Sequence, residues 1–229
     1  MDPLVLTVYK SPFPKERIGK DFDGGYIMID IPGKTYDLLL SGGILDDISF
    51  EEDFLMKYSE SKCLAFDGTI DSLPHQNERI TFIKKNIGLE NTESVTNLHE
   101  YINPEKSIFV KMDIEGGEIS WIHSLCDDQI NAFEQIIMEF HYPFGDDEID
   151  VFDKINKNHY LVHFHGNNWC PMRYHRGVSI PTVFECTYLH KKYFTNKPEL
   201  NTDIIPNILD MPNTRENDDI TINYPPFVN

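Results

Sequence analysis

Short apolar runs recur along this chain, and most are separated by polar stretches long enough for a helix. That alternation constrains the fold more than any other feature, because it is the pattern of a mostly parallel sheet with helices on both faces. The runs at 36–41, 62–67, 79–84, 108–112, 135–141, 160–165 and 182–190 read as strands. The run at 79–84 alternates apolar and polar residues, which predicts a place near a sheet edge. Helices are predicted over 50–57, over 121–133 as one or two pieces, and over 149–156. A further strand is predicted at 27–31. The link between the last two strands contains Pro171, Gly177 and Pro181 and suits an antiparallel, hairpin-like edge. From 196 onward Pro, Asn and Asp dominate without periodicity. The expected division is a domain over 1–195 and an extended tail over 196–229, packed on it or partly disordered.

With 229 residues, 40% of them hydrophobic, the chain can bury a sizeable core in one large domain. A formal charge of −18 repels phosphates, so neither a nucleic-acid partner nor an anionic membrane is expected. Cys63, Cys126, Cys170 and Cys186 show no paired spacing. Buried free thiols, the absence of a signal-like N-terminus and the lack of a long apolar run lead to the expectation of a soluble cytoplasmic protein. A homodimer is left open.

The chemistry-bearing residues gather at predicted strand ends, where ligands bind in open parallel sheets. The run 108–112 stops at Asp113-Ile-Glu-Gly-Gly117, which puts two carboxylates and a sharp backbone turn at one strand end. Ser41-Gly-Gly43 follows the first strong strand and allows close approach of a ligand. It lacks the third glycine of a dinucleotide fingerprint, and Asp46-Asp47 stands where a pyrophosphate would need neutral donors. Acids there suit a ligand carrying a positive group, such as S-adenosylmethionine; an ordinary turn with solvated aspartates is the alternative. Asp67-Gly68 ends the next strand, where a carboxylate can accept both hydroxyls of a ribose; a plain Asp-Gly turn is the alternative, and the spacing from the glycines favours the ribose.

Glu139 and His141 share one side of their strand, as do His163 and His165 of theirs. If these strands are neighbours, Asp113, Glu139, His141 and His165 converge on one cleft, as ligands of a divalent metal or as a general base. His165-Gly-Asn-Asn-Trp169 adds amides and an aromatic ring, a composition suited to a hydroxyl-rich substrate or to a capped turn. Near the N-terminus, Arg17 and Lys20 precede Gly24-Gly25 and could meet the carboxylate of an amino-acid-like cofactor or be surface charges.

Together, Asp23-Gly-Gly-Tyr26, Ser41-Gly-Gly43 with Asp46-Asp-Ile-Ser-Phe-Glu51, Phe66-Asp67, Lys111-Met-Asp-Ile-Glu-Gly116, Ile137-Met-Glu-Phe-His141 and His163-Phe-His-Gly-Asn-Asn168 resemble FkbM-like class I methyltransferases. The resemblance runs from about residue 17 to 193. It implies a Rossmann-like three-layer sandwich, with a mostly parallel seven-stranded sheet and an antiparallel edge strand, that binds S-adenosylmethionine. It implies O-methylation of a hydroxyl on a sugar, glycan or similar small polar acceptor. Ser41, Gly42 and Gly43 would then form the cofactor loop, with Asp46, Asp67, Gly68, Asp113 and Glu115 around the cofactor. Asp113, His141 and His165 would be catalytic, and Asp113 with Glu139 would hold a divalent metal such as magnesium. The fifth strand ends Glu-Phe-His, where related metal-dependent enzymes carry adjacent acids. A nicotinamide-dependent oxidoreductase and a catalytically silent glycan-binding module are the rival readings.

Overall fold

The computed structural model describes residues 1–145 and 149–229. Its elements run β1 (Lys15–Ile18), β2 (Tyr26–Ile29), β3 (Leu38–Gly42), α1 (Ser49–Lys57), β4 (Lys62–Phe66), β5 (Ile80–Ile83), β6 (Asn86–Ile87) and β7 (Val95–Thr96). They continue with β8 (Ile108–Met112), α2 (Glu118–Ser124), α3 (Asp127–Asn131), β9 (Phe133–His141), α4 (Ile149–Asn158), β10 (His159–Gly166), β11 (Met172–His175), β12 (Val178–Pro181) and β13 (Val183–His190). Seven strands form one sheet in the order β10-β13-β9-β8-β3-β4-β5. The pairs from β9 across to β5 are parallel, and β13 runs against both β9 and β10. This is a Rossmann-like α/β sheet, and all seven runs read as its strands belong to it. The antiparallel strand lies one place in from the edge, between two strands that point the same way.

Burial follows position in the sheet. Every residue of β8, near the centre, is buried, whereas edge strand β5 buries one of its four. Successive residues of the central strands feed two cores. Leu40, Val110, Ile136 and Met138 pack on one face with Trp121 and Phe152 of α2 and α4. Leu39, Phe109 and Ile137 pack on the other with Phe50 and Phe54 of α1 and with Tyr26 and Met28 of β2. The predicted helix over 121–133 is two helices broken at Leu125, whose backbone is extended, and Phe133 already belongs to β9. The strand predicted at 27–31 pairs with β1 rather than with the main sheet. The link between β10 and β13 folds as the β11–β12 hairpin, turning at Gly177 (φ +91°).

Residues 196–229 are irregular yet tied down. Leu200 bridges to Tyr9, Ile205 to Ile222, and the Phe227 ring lies 4.5 Å from that of Phe164. The four cysteines are free, with Cys63 and Cys186 buried. No helix among the described residues is long and apolar enough to cross a membrane.

One buried histidine makes the fold acid-sensitive. His159 is fully enclosed, with Nε2 2.8 Å from the carbonyl oxygen of Phe133, and burial pulls its pKa down to about 3. Its folded value lies below its unfolded one, so the unfolded chain takes up a proton first as the pH falls. Its contribution to stability is therefore intact above about pH 6.5 and declines by on the order of 1.4 kcal/mol per unit between there and about pH 3. Urea unfolding of the wild type and of His159→Gln at pH 7 and pH 5 checks this. The wild type is expected to lose more stability than the variant over that interval, and equal losses would overturn the assignment.

Candidate functional site

A cavity of about 380 Å³ opens at the carboxyl ends of β3, β4 and β8. Its floor depends on Gly43, which has φ +77° and sits so close to β8 that a Cβ there would lie 1.5 Å from the Asp113 carbonyl oxygen. Asp67 holds the rest of the loop. Its Oδ2 accepts the N–H groups of Ile44 (3.0 Å) and Leu45 (2.9 Å), and its Oδ1 accepts the N–H and hydroxyl of Thr69. Burial alone would raise this carboxyl, but those hydrogen bonds outweigh it and hold the pKa low. All four acceptor positions are therefore engaged within the fold, and Asp67 braces the glycine turn from the cavity wall.

Other residues of the predicted cofactor set divide similarly. Ser41 is buried and does not itself line the cavity; its hydroxyl donates to the carboxylate of Glu51, which does. Gly42 is a packing position, where a Cβ would strike Ile87, Met112 and Ile114. Gly68 donates to Asn86 Oδ1 at 3.1 Å. Gly43, Asp46, Asp67, Asp113 and Glu115 do line the cavity, with Ile44, Phe66, Ile87 and Ile114 supplying apolar walls.

Three lysines line the same space, and one of them, Lys85, donates to the Thr92 carbonyl at 2.9 Å. Lys111, a lone cation in an otherwise apolar strand, donates to the Gly43 carbonyl at 2.8 Å and lies over the Tyr26 ring. Lys20 lines the cavity 3.5 Å from Asp47. Arg17 does not face a ligand: its guanidinium donates to the carbonyls of Phe22 (2.6 Å) and Lys20 (3.3 Å) and shapes the loop that carries Lys20 and Asp23.

Beside this cavity Asp113, Glu139 and His141 come together, each offering a ligand atom within 4.8 Å of the others. β8 and β9 are parallel neighbours, so their carboxyl ends deliver these groups to one point. Tyr26 donates its hydroxyl to Asp113 Oδ2 at 2.8 Å, while the buried Oδ1 has no partner. Glu139 accepts from Asn167 at 2.7 Å, and burial, then Asp113 and Glu185, push its carboxyl well above the usual range. His141 is pulled down by burial, but Glu118 at 3.1 Å, with Asp113 and Glu115, outweighs that and leaves it raised. An orphaned carboxylate oxygen, a second carboxyl strained by like charge and an imidazole nitrogen form a donor set that fits a hard divalent cation.

His165 does not join that group. It is buried between Glu185 (3.5 Å) and Asp219 (3.1 Å). Burial disfavours its charge, yet the bonds to Asp219 and Glu185 prevail and lift its pKa well above the ordinary value. A histidine held protonated in this way is an unsuitable base at neutral pH, so the convergence predicted for four residues holds for three. His163 instead meets Asp210 at 2.9 Å.

Sequence reasoning missed Glu185. It lies directly across from Glu139 and accepts from Asn213 at 2.9 Å. Its signal was a single carboxylate inside the apolar run 183–189. Asn213 and Asp219, from the tail, carried no signal.

No family model matches this sequence, and no curated protein does. Among solved structures, TrmN from Thermus thermophilus is similar, with a TM-score of 0.36 at 10% identity. The match covers 69% of this chain and 45% of that one, so the chain spans less than half of that protein. A likeness of that size has no bearing on chemistry.

Proposed function

We propose that the protein is an S-adenosylmethionine-dependent O-methyltransferase acting on a hydroxyl of a sugar, glycan or similar small polar acceptor. The observation that carries this reading is the junction at Asp113, where a glycine-floored cavity and the Asp113–Glu139–His141 cluster share one residue. A cavity of this size lies in the range of small-molecule sites. Its apolar walls and the Asn86 amide suit a purine, Lys20 suits an amino-acid carboxylate, and Asp23, Asp47 and Asp113 suit a sulfonium and an ammonium.

When bound, the cofactor supplies an electrophilic methyl group for in-line displacement, and a divalent cation would supply Lewis acidity to a hydroxyl that is a poor nucleophile at pH 7. Asp113, Glu139 and His141 would hold that cation. Tyr26 fixes the Asp113 carboxylate, and burial keeps its own hydroxyl protonated and donating. Glu118 holds Nδ1 of His141 at 3.1 Å, which leaves Nε2, 3.9 Å from Asp113 Oδ1, as the atom it would offer the cation.

Calorimetric titration with S-adenosylhomocysteine is expected to give a dissociation constant in the micromolar range. The absence of both heat and a thermal shift would overturn the cofactor assignment. Methyl-label transfer into a panel of sugars and nucleotide sugars, with divalent cation or with chelator, then identifies the acceptor and the metal requirement.

A further inference from the structure

The sequence His165-Gly-Asn-Asn168 has two tasks that the reading above leaves unexplained. Asn167 orients Glu139. Asn168 points elsewhere. It is buried, and its side chain donates to the carbonyls of Thr214 (2.8 Å) and Asn217 (2.9 Å) while accepting the Thr214 N–H (2.9 Å). Its own carbonyl accepts from the Asn217 amide at 2.8 Å. One side chain at the end of β10 thus pins a turn of the tail 46 residues away.

That turn reaches across the site. Arg215, between the two pinned positions, sets its guanidinium 4.0 Å from the centre of the Phe22 ring. Phe22 has φ +66° and sits between Lys20 and Asp23, both of which line the cofactor cavity. From the side of α1, this loop is held by Asp53 on the Gly19 N–H (2.9 Å) and by Ser49 on the Lys20 N–H (2.8 Å). Two residues before Arg215, Asn213 donates to Glu185 and lies against Asp23.

We propose that Asn168 and Arg215 are positioning residues: Asn168 docks the tail, and Arg215 clasps Phe22 and so fixes the loop that presents Lys20 and Asp23 to the cofactor. Neither residue lines the cavity. The inference rests on the methyltransferase reading for the identity of the ligand, and it adds a dependence of cofactor affinity on a distant turn.

The test is S-adenosylhomocysteine affinity, measured by calorimetry, in the wild type, Asn168→Ala, Arg215→Ala, Arg215→Lys, Phe22→Leu and the Arg215→Ala/Phe22→Leu pair. Arg215 is exposed, so its variants should fold even if Asn168→Ala does not. A cation over a ring at such a site predicts affinity roughly threefold weaker in Arg215→Ala and in Phe22→Leu, and no weaker in the pair, since both remove one contact. Arg215→Lys should restore most of the loss. Asn168→Ala should weaken binding roughly tenfold, because it frees the whole turn. Failure of the wild-type protein to bind overturns the cofactor reading and this inference with it. Wild-type binding with unchanged affinity in Arg215→Ala, or losses that add in the pair, overturns the clasp alone.

Discussion

Asp113→Asn is expected to lower methyl transfer by about a hundredfold or more while leaving the fold at least as stable as the wild type. The two halves of that expectation have separate causes. Asparagine keeps an oxygen for the Tyr26 hydroxyl, so local geometry survives. It removes the charge that pushes up the carboxyls of Asp23 and Glu139, and relief of that repulsion favours the folded state. What disappears is the anionic oxygen shared by the cavity and the cluster, and with it any grip on a cation. Manganese binding followed by calorimetry gives a readout independent of acceptor identity, and should be lost in the variant. Label transfer within about threefold of wild type, or unchanged manganese affinity, would remove Asp113 from the centre of the site.

Gly43→Ala is expected to be the most damaging single change at the site. The added methyl would stand 1.5 Å from the backbone oxygen of Asp113, an atom that cannot swing aside, and the residue would keep a left-handed φ of +77°. Left-handed strain and overpacking each cost on the order of 1–3 kcal/mol, so a total of about 3–5 kcal/mol is expected. For a chain of this size that lowers the melting temperature by roughly 10 °C. The β3 turn and the end of β8 must also separate, which displaces Asp113 and abolishes S-adenosylhomocysteine binding. Gly33→Ala is the control. Its φ is +70°, but a Cβ there meets nothing within 4 Å, so it reports the strain without the clash and should leave binding intact.

The seven sheet strands were legible because burial on both faces leaves nearly unbroken apolar runs, and β5 betrayed its edge position by alternating. The paired strands β1, β6, β7, β11 and β12 have two to four residues, too few for a period to emerge. Asp113, Glu139 and His141 were legible from a rule about direction: parallel strands deliver their last residues to the same edge of the sheet. Glu185 escaped the same rule because its strand runs the other way and reaches that edge with its first residues. Asp67 and Ser41 were legible as strand-end residues but not as braces, since the N–H groups on Asp67 come from the loop after β3 and the carboxylate on Ser41 from α1. The Asn168–Thr214 contact links segments with no shared pattern, and only the folded chain brings them together.

The reversed β13 also divides the molecule by its tolerance of change. Because β10 leaves the sheet at the site edge and β13 enters there, the whole connection from Asn167 to Thr182, hairpin included, is confined to that edge. β3, β4 and β8, at whose carboxyl ends the glycine-floored cavity opens, lie on the far side of β9 from this connection. Insertions, deletions or exchanges in the hairpin are therefore expected to leave the cavity undisturbed. The hairpin is thus the segment to exchange when this edge of the molecule is to be altered with the cavity left intact.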